Sequence, residues 1–181
     1  MNGMTGTRRL ARPVRLVIAQ QLGSDIDGAW WPHTGSVAGE LPELIEVLHQ
    51  PLGEILDICV NWSATEGALD FNSLLNTGRM KSIAPRRRHR LMMVAGRSGQ
   101  AKLLVVPHMT TPEFAAMVMR CATGRPVSDS ERDSQWSEVA DTVIRDARAE
   151  SALWISRMPG TATTDCTGTQ ALRKTDSSST T

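Results

Sequence analysis

The stretch HRLMMVAGRSGQAKLLVVP, residues 89–107, gives the clearest indication of the fold. Two apolar runs, His89–Ala95 and Ala101–Val106, flank Gly96–Gly99, whose glycines favour a tight turn. The pattern predicts two strands joined as a hairpin. Because LLVVP lacks polar alternation, we expect the second strand to lie centrally in a sheet, with both faces covered.

The segments that flank this hairpin predict further strands. Val14–Gln20 is rich in β-branched residues, and residues 54–64, EILDICVNWSA, alternate between two kinds of side chain. Met80–Ile83 predicts one more short strand. The apolar runs and turns together indicate a sheet of about five strands, mostly antiparallel.

Three segments predict helices, each with a recognisable beginning. Residues 40–53, ELPELIEVLHQPLG, carry apolar residues at helical spacing, with Pro42 in the expected first turn. Thr111 and Pro112 open the second helix, and the capping box of Ser128 and Glu131 opens a third that runs to about Arg157. The apolar stripe of this last helix is interrupted by Glu150 and Ser151. We expect the three helices to lie on one face or end of the sheet.

The length of 181 residues suits one domain. We assign residues 1–13 to a flexible N-terminus and 14–158 to a single α+β domain. Residues 159–181 are small and polar, which predicts a disordered tail. No apolar run is long enough to span a membrane, and Arg15 and two glutamines interrupt the one stretch that imitates a signal peptide. We therefore expect a cytoplasmic protein that does not engage membranes.

Charged residues are segregated along the chain, although the net charge is only +1. Residues 25–70 carry nine acids and no Lys or Arg, whereas residues 71–112 carry eight basic residues and no acid. The favoured interpretation is that the two blocks are neighbours in the fold and screen each other. The alternative is that they form opposite faces, one of which meets a charged partner.

The segment DIDGAWWPH, residues 25–33, is a candidate ligand-binding loop. Its residues that could bind a ligand are Asp25, Asp27, Trp30, Trp31 and His33. A calcium-binding EF-hand loop that began at Asp25 would need an oxygen ligand at position 29 and a glutamate at position 36. The chain has Ala29 and Ser36 there, so the calcium interpretation fails. The structural alternative is a turn that places one tryptophan in the core and the other at the surface.

Metal and catalytic signatures are weak throughout the chain. His33 and His108 show no paired short spacing, and the three cysteines form no metal-binding or disulfide pattern. No nucleophile elbow, P-loop or dinucleotide-binding motif is present. The sequence accordingly gives no ground to expect a catalytic residue, a bound metal or a cofactor.

The run PRRRHR, residues 85–90, is the best candidate for anion contact. Guanidinium groups bind phosphates in a bidentate manner, so we name Arg86, Arg87, Arg88 and Arg90 as candidate anion-binding residues. Phe71 is the sole aromatic residue between Trp62 and Phe114, so the stacking surface of single-strand binders is missing. Nucleic-acid binding is therefore not favoured.

Several of these motifs together resemble a known family. DGAWWP, ELPELIEVL, the pair Gly78–Arg79, and LLVVP followed by Thr111 and a helix look like an actinobacterial family of small proteins of unknown function. The resemblance covers roughly residues 14–122. Where a second proline usually follows LLVVP in the family, this chain has His108. The resemblance implies an intracellular protein and supplies no catalytic residues.

Three functional hypotheses follow from the residues. The leading one is a non-catalytic module that binds a small molecule or a protein between the DGAWWP loop and the basic hairpin. A second is nucleic-acid binding through the basic hairpin over residues 79–102. A third is a metal-assisted enzyme that uses Asp25, Asp27 and either His33 or His108. The helix over residues 128–157 could also pair two copies of the chain.

Overall fold

A computed structural model describes residues 12–77, 88–125 and 135–158 of the chain. The described residues form five strands and four helices in an α+β arrangement. The strands are β1 (Leu16–Ile18), β2 (Gly28–Trp30), β3 (Ile55–Val60), β4 (Arg90–Gly96) and β5 (Gln100–Val105). The helices are α1 (Val37–Leu52), α2 (Phe71–Thr77), α3 (Pro112–Ala122) and α4 (Gln135–Arg157).

The five strands form one mixed sheet in the order β1-β2-β5-β4-β3. Only β2 and β5 run parallel; the other neighbours are antiparallel, so the prediction of a mostly antiparallel sheet of about five strands is confirmed. The predicted hairpin forms β4 and β5, and β5 lies in the centre. Gly28 allows β1 to approach β2, because a Cβ at this position would lie 2.1 Å from the carbonyl oxygen of Val17.

Each face of the sheet carries its own hydrophobic core. On one face α1 packs Leu44, Leu48 and Leu52 against the sheet, with Trp30 and Leu103 beneath them. The opposite face packs against α3 and α4 and includes Phe71 at the start of α2. This division follows from the alternation of side chains along β5, in which Leu103 and Leu104 belong to different cores.

The expectation of three helices on one face or end of the sheet is therefore wrong in two respects. The short helix α2 was not expected, and α1 lies on the opposite face from α3. The start of α1 also differs, because the helix begins at Val37 and places Pro42 in its interior. Gly53, at a φ of 71°, ends α1 in the left-handed region that glycine tolerates.

Other expectations fall on parts of the chain that lie outside the described residues. These are the predicted strand over 80–83, the capping box at 128–131, and the tail over 159–181. The described part of the long helix, α4, begins at Gln135. This helix packs on α3 and α2 of the same chain. Among the described residues, no helix is both long and apolar enough to cross a membrane.

Candidate functional site

Asp27 organises the loop that leads into β2. Its carboxylate is fully buried and accepts hydrogen bonds from the backbone N–H groups of Gly23 (2.8 Å), Ser24 (2.8 Å) and Lys102 (2.9 Å). Both carboxylate oxygens are therefore engaged in joining the loop to β5. Asp25, two residues earlier, is exposed at the loop surface and lies outside this network.

The two adjacent tryptophans of the DGAWWP loop belong to the two different cores. Trp30 is 1% exposed beneath α1, whereas Trp31 is 9% exposed in the core formed with α3 and α4. Successive side chains of an extended segment point to opposite faces, and both faces of this sheet are covered. The expectation that one tryptophan lies at the surface is wrong, and Trp30 has no exposed surface to offer a ligand in this conformation.

Arg15 fastens the segment before β1 to the loop after β2. Its guanidinium carbon lies 3.4 Å from the centre of the Trp31 ring, a cation–π contact. The same side chain donates hydrogen bonds to the carbonyl oxygens of Trp31 (3.0 Å) and Pro32 (2.6 Å). Burial lowers the pKa of Arg15, although nearby Glu40 acts in the opposite direction. Sequence reasoning did not identify this residue.

Glu40 holds the loop that connects β2 to α1. Its carboxylate accepts hydrogen bonds from the backbone N–H groups of His33 (2.8 Å) and Thr34 (2.7 Å) and from the Thr34 hydroxyl (2.8 Å). Burial alone would raise the pKa of Glu40, but these hydrogen bonds outweigh it and lower the pKa below its ordinary value. His33 is also held through Nε2, which lies 3.1 Å from the carbonyl oxygen of Pro13.

Strand β2 separates the candidate loop residues into two groups. Asp25 and Asp27 precede β2, whereas His33 follows it, so the carboxylates and the imidazole lie at opposite ends of a sheet strand. His108 follows the parallel strand β5 and therefore lies at the same end as His33. A Cβ at Gly35 would lie 3.2 Å from Cε1 of His108, so the two loops are in contact. The metal-assisted hypothesis requires residues that this fold does not bring together.

The start of β4 brings part of the predicted anion-binding run to the His33 end of the sheet. Arg88 is exposed there, while Arg86 and Arg87 lie outside the described residues. Arg90 donates a hydrogen bond to the carbonyl oxygen of Glu66 (2.6 Å), and its guanidinium carbon lies 5.4 Å from the centre of the Trp62 ring. The sheet register places Trp30, Val105 and Arg90 in one row. This end of the sheet therefore gathers His33, His108, Arg88 and Arg90.

The connections that leave β2 and β5 diverge at this end. The segment after β2 leads to α1 on one face of the sheet, and the segment after β5 leads to α3 on the other. Two adjacent parallel strands whose following helices take opposite faces form a topological switch point. We use the name switch-point crevice for the surface at the carboxyl ends of β2 and β5 that these two loops border (residues 32–36 and 107–111).

The acidic and basic blocks of the sequence are neighbours in the fold. Strand β3, from the acidic block, pairs along its length with β4 from the basic block. Glu54 and Arg97, just outside these strands, form an exposed ion pair. This adjacency agrees with the favoured interpretation that the two blocks screen each other.

A pair between a buried histidine and a partly exposed glutamate, which the sequence did not predict, joins the start of β4 to α4. His89 is 3% exposed; its backbone N–H donates to Oε2 of Glu150 (2.8 Å), and its Nδ1 lies 3.1 Å from Oε1 of the same carboxylate. Its ring also meets Phe71 edge to face, with 6.0 Å between centres. The sequence did show that Glu150 interrupts the apolar stripe of the long helix. It could not show that the partner of Glu150 is His89, because the two residues are 61 positions apart.

The cysteines and other potential metal ligands of the described residues do not form a centre. No group of three or more His, Cys, Asp or Glu side chains in these parts of the chain is arranged to hold a metal ion. A hydrogen bond to Asp57, together with burial, raises the pKa of Cys59. Burial, with a smaller contribution from Asp141, raises the pKa of Cys121 to about 11. Both thiols are therefore less nucleophilic than a free cysteine.

A comparison with protein-family models matches residues 15–122 to DUF5994, a family of unknown function. The chain belongs to this family. The match covers more than half of the chain and nearly the same residues as the predicted resemblance, so membership of a family of unknown function is confirmed. No curated protein and no solved structure gave a significant match. The DUF5994 region ends at the last residue of α3 and leaves α4 outside it.

Proposed function

We propose that this DUF5994 domain is a non-catalytic binding module whose ligand occupies the switch-point crevice. The observation that carries the proposal is the divergence of the loops after β2 and β5 to opposite faces of the sheet. In open sheets with parallel strands, ligands bind outside the carboxyl ends of the strands at such a point. The proposal retains His33 of the sequence-based site and adds His108, whose ring lies beside Gly35 in the loop that follows His33.

The charges at this end of the sheet favour an anionic ligand. Arg15, His33 and His108 lie in or beside the loops, and Arg88 and Arg90 lie at the same end of the sheet. The acids near the loops are Glu40, Glu113 and Asp70. Glu40 is already engaged by three hydrogen bonds from the loop itself. The cationic groups at this end of the sheet can therefore attract a small molecule with a phosphate or carboxylate group.

Side chains at the crevice are available for such a contact. His108 and the hydroxyl-bearing residues Ser36 and Thr111 are exposed. Ser36 and Thr111 are the N-caps of α1 and α3, yet neither side chain makes a capping hydrogen bond. Their hydroxyls can consequently donate to a ligand without breaking a helix cap.

Chemical-shift mapping with simple anions tests this function. Inorganic phosphate and citrate, added separately to the labelled protein, should shift the backbone amides of Gly35, Ser36 and Thr111. The His108→Ala variant should lose these shifts, whereas His49→Ala, which removes an exposed histidine from the last turn of α1, should keep them. Shifts that spread over all arginines and persist in His108→Ala would contradict the proposal and favour a non-specific electrostatic surface instead.

A further inference from the structure

The two edges of the sheet differ in how much backbone they leave open. One edge is β1, which has three residues, and the other is β3, which has six. Within the parts of the chain that the structure describes, no strand pairs with the outer side of β3. Long edges with unpaired N–H and C=O groups are sites at which another strand can add.

The backbone of β3 presents two residues to this open edge. Asn61 donates its backbone N–H to Leu91 (3.1 Å), and the register Cys59↔Met93 continues the same antiparallel pattern. Because alternate residues of a strand turn their N–H and C=O groups to opposite sides, Ile58 and Val60 direct theirs away from β4. No strand among the described residues pairs with these groups, so they are open to another strand.

The side chains at this edge are more apolar than an exposed edge normally carries. Leu56 is 62% exposed and Val60 is 42% exposed, and both belong to β3. The irregularity between Ile55 and Asp57 and the carboxylate of Asp57 limit unrestricted pairing at the beginning of the strand. The strand is therefore open chiefly over Ile58–Val60.

We propose that β3 pairs antiparallel with β3 of a second copy of this chain, about a two-fold axis at Cys59. In this register Ile58 of each copy lies opposite Val60 of the other, so the outward N–H and C=O groups of both residues find partners. The contact is isologous, since the same short segment serves both copies. The two sheets then join into one.

The end of the strand and its charges select this register over its neighbours. With the axis at Val60, Ile58 would lie opposite Trp62, which is beyond the end of β3. With the axis at Cys59, Asp57 lies opposite the neutral Asn61 of the second copy. The two Asp57 residues are then four positions apart, which is about 13 Å along the strands. With the axis at Ile58, they would be diagonal neighbours at about 7–8 Å. With the axis at Asp57, the two carboxylates would face each other directly.

The same register supplies a chemical probe. Cys59 would lie opposite Cys59 of the second copy in a non-hydrogen-bonded pair, where the Cα atoms are about 4.5 Å apart. Disulfides form at Cα separations of about 4.4–6.8 Å. A second copy seated as proposed can therefore be cross-linked through its native Cys59 by a mild oxidant at alkaline pH, which compensates for the raised pKa of this thiol.

Mass measurement and cross-linking on the full chain test the proposal. In light scattering after size exclusion, the protein should have twice the chain mass, and Val60→Lys should reduce it to the chain mass. Leu153→Lys is the matched control, because Leu153 is 57% exposed on α4, and it should leave the mass unchanged. A wild-type protein that stays at the chain mass at every concentration overturns the proposal, and so does loss of the dimer in Leu153→Lys alone, which would assign the interface to α4.

Cross-linking gives an answer even if the lysine variant folds poorly. All variants carry Cys166→Ser, so that each further substitution leaves one cysteine. Oxidation should give a covalent dimer when Cys121→Ser leaves Cys59, and none when Cys59→Ser leaves Cys121. The yield of covalent dimer should fall several-fold when the protein is diluted below the concentration at which the mass measured by light scattering halves. Dimer that forms equally in Cys59→Ser, or no covalent dimer in any variant, refutes the register.

Discussion

Replacing Asp27 by alanine should destabilise the domain far more than replacing Asp25, although the two carboxylates are only two residues apart. Asp27 is fully buried and accepts three backbone hydrogen bonds, whereas Asp25 is exposed. In the alanine variant, the backbone N–H of Lys102, within the central strand β5, loses its hydrogen-bond partner. The N–H groups of Gly23 and Ser24 belong to exposed residues and can turn partly to water.

The expected loss can be worked out from these three donors. A buried hydrogen bond to a charged acceptor is worth about 1.5–3 kcal/mol, which we assign to Lys102. The two loop donors contribute about 0.5–1.5 kcal/mol each, since water compensates them in part. Allowing for non-additivity among neighbours, the free energy of unfolding should fall by about 3–5 kcal/mol. This is a large part of the 5–15 kcal/mol that is typical of a domain, so the variant should be only marginally folded.

Urea unfolding followed by tryptophan fluorescence measures this difference, because Trp30 and Trp31 adjoin the affected loop. The Asp25→Ala variant should unfold within about 0.5 kcal/mol of the unsubstituted protein, as surface substitutions usually do. The slope of the unfolding free energy against urea concentration should be the same for all three proteins. A constant slope means that the substitutions change stability and not the surface exposed on unfolding. If Asp27→Ala and Asp25→Ala lose the same free energy, the three hydrogen bonds do not hold the loop as described.

Three further predictions concern Glu40, Arg15 and Cys121. The pKa of Glu40 is lowered in the folded protein, so its contribution to stability is present above the ordinary value of 4.5 and disappears as the pH falls through the folded value. Glu40→Gln should therefore be less stable than the unsubstituted protein at neutral pH but similar to it in acid, with the exposed Glu43→Gln as control. Arg15→Ala loses a cation–π contact and two hydrogen bonds and should cost about 1–3 kcal/mol in urea unfolding; Arg15→Lys should restore only part of this. Because the pKa of Cys121 is raised to about 11, iodoacetamide should alkylate it slowly in the native protein at mildly alkaline pH and rapidly in urea, as mass spectrometry would show; equal rates would contradict its burial.

Local pattern was sufficient for the elements whose signals lie within a few residues. The turn at Gly96–Gly99, the apolar run of β5 and the Thr111–Pro112 start of α3 appear where the sequence predicts them. The strand β2 was missed because only three residues form it, and the Asp27–Gly28 pair at its start resembles a turn. Its pairing with β5 depends on residues about 75 positions away, such as the contact between Asp27 and Lys102.

The candidate site was harder to predict than the fold for the same reason. The sequence motif placed Asp25 and His33 in one loop, but a short strand between them sends the two to opposite ends of the sheet. His108 joins His33 only because β2 and β5 are adjacent and parallel, which periodicity does not reveal. Likewise, the interruption of the α4 stripe at Glu150 was visible, yet nothing local indicated that His89 fills it.

The placement of Trp30 and Trp31 in separate cores constrains how this region can change during evolution. Inserting or deleting one residue in β2 would exchange the two faces and drive each ring into the core shaped for the other. The exposed turn over residues 63–67, by contrast, contributes no residue to either core and can change length without disturbing them. We therefore expect homologous chains to vary in length at such turns while the spacing from Gly28 to Trp31 stays constant, so that this spacing can anchor their alignment.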